Sequence, residues 1–222
     1  MIKNGRFPKR QRGYWQPWAV LIVYEISAGF RHNTGGAHLK FFTKEPDIAV
    51  FSKALGNGYS IAAVIGRANV MQAAQKTFIS STNWTERIGP TAAIAMIKKH
   101  KRVDAGKHLV WLGEQVQSVW KEMARKHGLP IKVSGMKPMS HFAFLHDKAP
   151  SMKAYFIQLM LEQGFLASNL YYAMYAHTEE NVQDYLKATD KAFGEIVRSI
   201  EHNNIDKKLV GKSSSVGFKR LA

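Results

Sequence analysis

The stretch Pro46-Asp47-Ile48-Ala49-Val50-Phe51-Ser52-Lys53-Ala54-Leu55-Gly56-Asn57-Gly58-Tyr59 constrains this chain more than any other. Residues 48–51 form a short apolar run, with a Pro-Asp turn before it and two glycines after it. That pattern predicts a buried strand of a parallel sheet. Lys53 then stands at the carboxyl end of the strand, where ligands bind in open α/β sheets. A lysine there is expected to be partly desolvated, which favours the neutral amine, and a neutral amine is what a Schiff base with an aldehyde requires. Gly56 and Gly58 let the backbone turn sharply beside it. The plainer reading is a solvated lysine at a strand end, and spacing alone leaves both readings open.

The surrounding pattern has the same alternating character. Residues 18–24 are a continuous apolar run of the buried-strand kind, and Gly29, Gly35 and Gly36 break the next residues into a loop. Residues 61–65 are a third apolar run, closed by Gly66-Arg67. Gly89-Pro90 opens a helix, because proline suits the first helical position, and Ala92, Ala93, Ile94 and Met96 make it a tightly packed one. A second helix carries Leu109, Leu112, Val116, Val119 and Met123 at helical spacing and stops at Gly128. This stripe reads as core rather than as a cofactor box. Composition shifts at Gly128-Leu129-Pro130, which predicts a domain boundary. Beyond it, 131–133 and 141–145 read as strands. Ser151 is expected to cap a helix bearing Tyr155, Phe156, Leu159 and Met160 that ends at Gly164. Thr178 caps the last helix, with Glu179 and Glu180 in its positive first turn. Its apolar face is Val182, Tyr185, Leu186, Phe193, Ile196, Val197 and Ile200.

Composition narrows the classes of function. There is no cysteine, which excludes disulfides and thiolate metal sites and fits a reducing, cytoplasmic compartment. The 9 histidines show no close ligand spacing, so no metal site is expected. No apolar run approaches a membrane span. The formal charge of +16 points toward anionic partners. Much of it crowds the ends, however, at Lys3, Arg6, Lys9, Arg10 and Arg12 and at Lys207, Lys208, Lys212, Lys219 and Arg220. Both ends read as flexible basic tails. Trp15 and Trp18 could stack on nucleobases or pack on the domain surface, but the chain carries no nucleic-acid recognition motif.

The residues from Leu21 to Arg31 (LIVYEISAGFR), followed by Ser52 to Tyr59 (SKALGNGY), resemble the class III aminotransferases, which depend on pyridoxal 5'-phosphate (PLP). The stretch Ser81-Thr82-Asn83-Trp84-Thr85-Glu86-Arg87-Ile88-Gly89-Pro90 is similar to the glutamate-1-semialdehyde aminomutase-like branch. The resemblance implies an α/β chain. Residues 19–128 would be part of a fold type I PLP-transferase large domain with a mostly parallel sheet. A small α+β C-terminal domain over 129–204 would follow, between an irregular basic segment at 1–18 and a basic tail at 205–222. It makes Lys53 the Schiff-base lysine. Thr85, five residues before Pro90, would be the threonine that reaches the cofactor phosphate of a neighbouring subunit, which implies a dimer with shared sites. An ordinary loop or cap hydroxyl is the alternative for Thr85. Glu25 matches the acid that comes after the pyridine partner. Arg31 is either part of the motif or a solvated loop cation, and His177 is a structural histidine before it is a proton shuttle.

Two departures shape the expectation. Tyr24 stands where the family carries its pyridine-binding aspartate. The family's glycine/serine phosphate loop and ring-stacking aromatic lie upstream of the first matching strand, and residues 1–18 do not resemble them. The expectation is therefore a C-terminal portion that transfers an amino group between a small-molecule donor and a carbonyl acceptor. It would be weakly active alone, and would pair with itself or with an upstream half. The alternative is a non-catalytic remnant that serves as a dimer or folding partner of a full-length homologue.

Overall fold

The structure, a computed structural model, describes residues 19–213. The expected irregular segment at 1–18, with Trp15 and Trp18, and residues 214–222 of the expected tail at 205–222 lie outside the described residues. The chain divides into two units, 1–108 and 109–222. The division falls inside a helix, earlier than the turn at Gly128 that composition marks.

The first unit holds β1 (Ile22–Tyr24), β2 (Ile48–Phe51) and β3 (Ala63–Gly66) in one sheet of order β1-β2-β3. The β1–β2 pair is parallel, with Ile22 opposite Ile48 and Tyr24 opposite Val50, and β3 runs antiparallel to β2. Two short helices, α1 (His38–Phe41) and α2 (Ala68–Met71), flank the strands. The long helix α3 (Ile88–Arg102) begins with Gly89-Pro90 in its first turn, as expected. One face of the sheet is covered: Ala49 and Phe51 pack with Phe30, Leu55 and Ala93, and with Ile97 at the edge of the cluster. The other face is open. Ile22 is 59% exposed, Tyr24 69% and Val64 52%. The continuous buried strand expected at 18–24 is thus a three-residue strand that alternates exposed, buried, exposed. Side chains of successive residues point to opposite faces, and only one face of this sheet has a partner among the described residues.

The second unit contains most of α4 (Ala105–Lys126), then β4 (Ile131–Met136), β5 (Met139–Phe144), α5 (Ala149–Glu162), β6 (Leu170–Tyr172) and α6 (Glu179–Glu201). The three strands form an antiparallel sheet of order β4-β5-β6. The α4 stripe read from spacing is all core: Leu109, Leu112, Val116, Val119 and Met123 are buried. α4 ends just before Gly128, whose φ of +63° is a left-handed turn that a glycine adopts without steric cost. Phe142 is fully buried, with ring contacts to Trp120, Phe144, Phe156 and Phe193 at 4.9–5.7 Å. Thr178 caps α6 through a reciprocal box with Asn181, its hydroxyl accepting from the Asn181 amide. Ser151 does not cap α5. It lies inside the first turn, and its hydroxyl donates to Asp206 at 2.6 Å. That bond and the fully buried Ile205 carry the ordered core past Asn204, into the segment expected to be tail.

In the first unit, α3 is tied to the loop after β1 by His100. Its Nε2–H donates to the Phe30 carbonyl at 3.0 Å, and Thr34 shares its hydroxyl with Nδ1 at 2.8 Å. Burial holds the His100 ring below its ordinary pKa, against the opposing pull of the Phe30 carbonyl and Asp104. His32 is lowered as well, first by burial and then by the Lys40 charge, with Glu25 opposing. Both rings fold neutral and are more easily protonated in the unfolded chain. Their contribution to stability is therefore fully present above the unfolded value of 6.5 and is lost as pH falls through the folded values. Urea midpoints should fall as pH is lowered from about 8 to about 5, and His100→Gln should flatten that slope. An unchanged slope would show that His100 is not held neutral.

Candidate functional site

The site is built from the carboxyl ends of β1 and β2, which are neighbours and parallel. Just past β2 the chain makes a single 3-10 turn, Lys53–Leu55. The turn is fixed by its own backbone: the amides of Gly56 and Asn57 both donate to the Lys53 carbonyl, at 3.2 and 3.1 Å. Ser52, the residue before it, donates its hydroxyl to the Ile61 carbonyl at 2.9 Å. Lys53 itself has φ +46°, a left-handed conformation that costs a β-carbon-bearing residue about 1–2 kcal/mol. Such strain collects at functional positions. The side chain crosses to the neighbouring strand end, where Nζ donates to the Ser27 hydroxyl at 2.7 Å. The expectation that Lys53 is partly desolvated does not hold within this chain: the side chain is exposed, because the open face of the sheet carries no cover among the described residues.

Glu25 turns to the opposite face from Tyr24 and is 2% exposed. Its Oε1 accepts two hydrogen bonds from one residue, the backbone amide of His38 at 2.9 Å and His38 Nδ1 at 2.7 Å. Its Oε2 is buried with no hydrogen-bond partner among the described residues. Glu25 therefore does not reach toward Lys53; it anchors the end of β1 from behind. Tyr24 stands on the open face, in register with Val50, three residues before the lysine. Thr85 is exposed in a turn and makes no hydrogen bond with Lys53, Tyr24 or Glu25. Arg31 donates from Nε to the Ser27 carbonyl at 3.3 Å and so braces the same turn. His177 belongs to the second unit, where its ring stacks on Tyr171 at 5.6 Å and Nδ1 meets the Tyr171 hydroxyl at 3.0 Å. Sequence reasoning missed Ser27 and His38, because neither contact obeys a local spacing. The pairs lie 26 and 13 residues apart.

The family model of the class-III aminotransferases matches residues 16–192. The chain belongs to this family. Among curated relatives, it is 31% identical to a 3-aminobutyryl-CoA aminotransferase of Cloacimonas acidaminovorans, over 82% of this chain and 45% of that protein. It is 28% identical to an aminopentol aminotransferase of Sphingopyxis macrogoltabida, over 81% and 43%. Of solved structures, the FumI protein of a Sphingopyxis species, in its PLP internal aldimine form, superposes with a TM-score of 0.74 at 26% identity, over 82% of this chain and 44% of that one. The chain thus spans about 45% of the length of the curated relatives it matches. The fold class expected from the sequence, part of a PLP-transferase large domain followed by a small α+β unit, is the fold of the matching part of these class-III structures.

The residues of this class-III chain fit an aldehyde cofactor at the lysine. A primary amine stands exposed at the carboxyl ends of two parallel strands, on a strained backbone and against a braced hydroxyl. Facing a pyridine nitrogen, the fit is poorer, since Tyr24 offers a hydrogen bond without a compensating charge.

Everything in this arrangement leans on the Glu25 carboxylate. Removing a buried acceptor leaves its donors unsatisfied and costs about 1–3 kcal/mol. Glu25→Ala strands the two His38 donors and should lower the unfolding free energy by about that amount, read from urea denaturation of the full chain. A loss under about 1 kcal/mol would mean that water serves His38 equally well.

Proposed function

We propose that this chain carries the lysine-bearing centre of a PLP-dependent aminotransferase, which moves an amino group between a small-molecule amino donor and a carbonyl acceptor. One observation carries the reading: the Lys53 amine is presented, exposed and hydrogen-bonded, where ligands gather in an open α/β sheet. When bound, PLP supplies an aldehyde carbon for the lysine and a ring that accepts electrons. Lys53 holds the cofactor and then moves protons at the carbon beside the nitrogen. Tyr24 faces the ring nitrogen from the neighbouring strand end. Thr85 serves the cofactor phosphate of a second copy, which makes the working form a dimer. The matched relatives are named for different substrates, and amino transfer is what they share.

Tyr24 favours a second reading, in which the chain is a non-catalytic dimer or folding partner of a longer homologue. Without a carboxylate the ring nitrogen loses its charge partner. A loss of about 3–5 kcal/mol in the transition state is about two to four decades in rate.

Two measurements decide between them. After incubation with PLP and reduction with borohydride, peptide mapping should find the label on Lys53, and Lys53→Ala should remove it. Label spread evenly over surface lysines would overturn the assignment. In single-turnover conversion of the cofactor to its amine form, Tyr24→Asp should react about a hundredfold or more faster than the native chain. Equal rates would show that Tyr24 does not face the ring nitrogen.

A further inference from the structure

We propose that Ser27 is the positioning residue for Lys53, and that its hydroxyl is what makes this lysine, among the chain's many, the one that meets a carbonyl. The inference rests on the reading of Lys53 as the cofactor lysine and adds a residue that the motif does not single out. An exposed lysine has a long flexible stem, and one neutral hydrogen bond does not fix it unless the acceptor is rigid and the backbone is already aimed. Both conditions are met here. The backbone of Lys53 is turned by its φ of +46°, with Ser52 pinned to the Ile61 carbonyl. The Ser27 turn is braced three ways. The Gly29 amide donates to the Glu25 carbonyl at 2.8 Å, Arg31 Nε donates to the Ser27 carbonyl at 3.3 Å, and Glu25 is clamped by His38. A β-carbon on Gly29 would come within 2.7 Å of the Glu25 carbonyl and 2.8 Å of the Phe51 ring, so only a glycine lets the turn pack this closely.

The geometry has a chemical consequence. With one N–H donated to the Ser27 hydroxyl at 2.7 Å, Nζ is held in one orientation and its remaining positions point away from that hydroxyl. Attack on an aldehyde forms the carbon–nitrogen bond; the carbonyl oxygen leaves as water and takes both amine protons. Ser27 neither gains nor loses an atom. It holds the amine in one orientation while the aldehyde arrives, which is an advantage of position.

The test compares the full native chain with Ser27→Val, Ser27→Thr and Ser27→Ala. The first two have side chains of the same shape, with and without a hydroxyl; the third removes the hydroxyl without adding volume. Each is incubated with PLP, its visible circular dichroism is recorded, and the adduct is reduced with borohydride. Peptide mapping then gives the ratio of label on Lys53 to label on the other lysines across a pH series. Loss of the hydroxyl in the Val and Ala variants should lower that ratio about tenfold and flatten the visible dichroism, while the Thr variant stays within about twofold of native. Equal ratios and equal dichroism in the Thr, Val and Ala variants, with Lys53 still preferred, would overturn the role of Ser27 alone. A native chain with no preference for Lys53 would overturn the cofactor-lysine reading and this proposal together.

Discussion

The buried carboxylate of Glu25, held by both donors of His38, is the contact on which the geometry of the first unit depends. A carboxyl group 2% exposed is costly unless it is hydrogen-bonded, and the two bonds that His38 gives to Oε1 fix α1 against the end of β1. That fixes the turn from Glu25 to Gly29, and the turn fixes Ser27. The amine of Lys53 is then placed by a chain of short contacts that starts in the core and ends in solvent. Glu25 is thus a neighbour of the chemistry in sequence and its support in space.

The same unit is only half enclosed. Phe30, Phe51, Leu55 and Ala93 close one face of the sheet, while Ile22, Tyr24 and Val64 stand open on the other. The lysine belongs to the open side. Its surroundings are accordingly those of a surface group, and what places it is the Ser27 hydroxyl rather than an enclosing wall. The second unit is built differently. Its antiparallel sheet meets α5 and α6 around a cluster of edge-to-face aromatic rings centred on Phe142, with the Trp120 indole donating to the Tyr185 hydroxyl at 2.9 Å inside it. Burial raises the Tyr185 phenol to about 12, so the group stays neutral and able to accept from Trp120.

The amino-acid sequence by itself determined what is periodic or chemically local. The α4 and α6 stripes, the stop at Gly128, the cap at Thr178 and the strand that delivers Lys53 all come from spacing and from the conformational needs of single residues. The motif around Tyr24, Glu25 and Lys53 carried the family for the same reason, because its residues sit at set distances along two strands. The tertiary structure alone decided which groups meet. The sheet brings Ser27 to Lys53 across 26 residues and turns Glu25 away from the amine to His38. It draws Ser151 to Asp206 across 55 residues instead of leaving it as a cap. It also decided that Tyr24 and Lys53 lie exposed, since apolar character in a strand does not say whether one face or both will find a partner; that depends on which elements pack against the sheet.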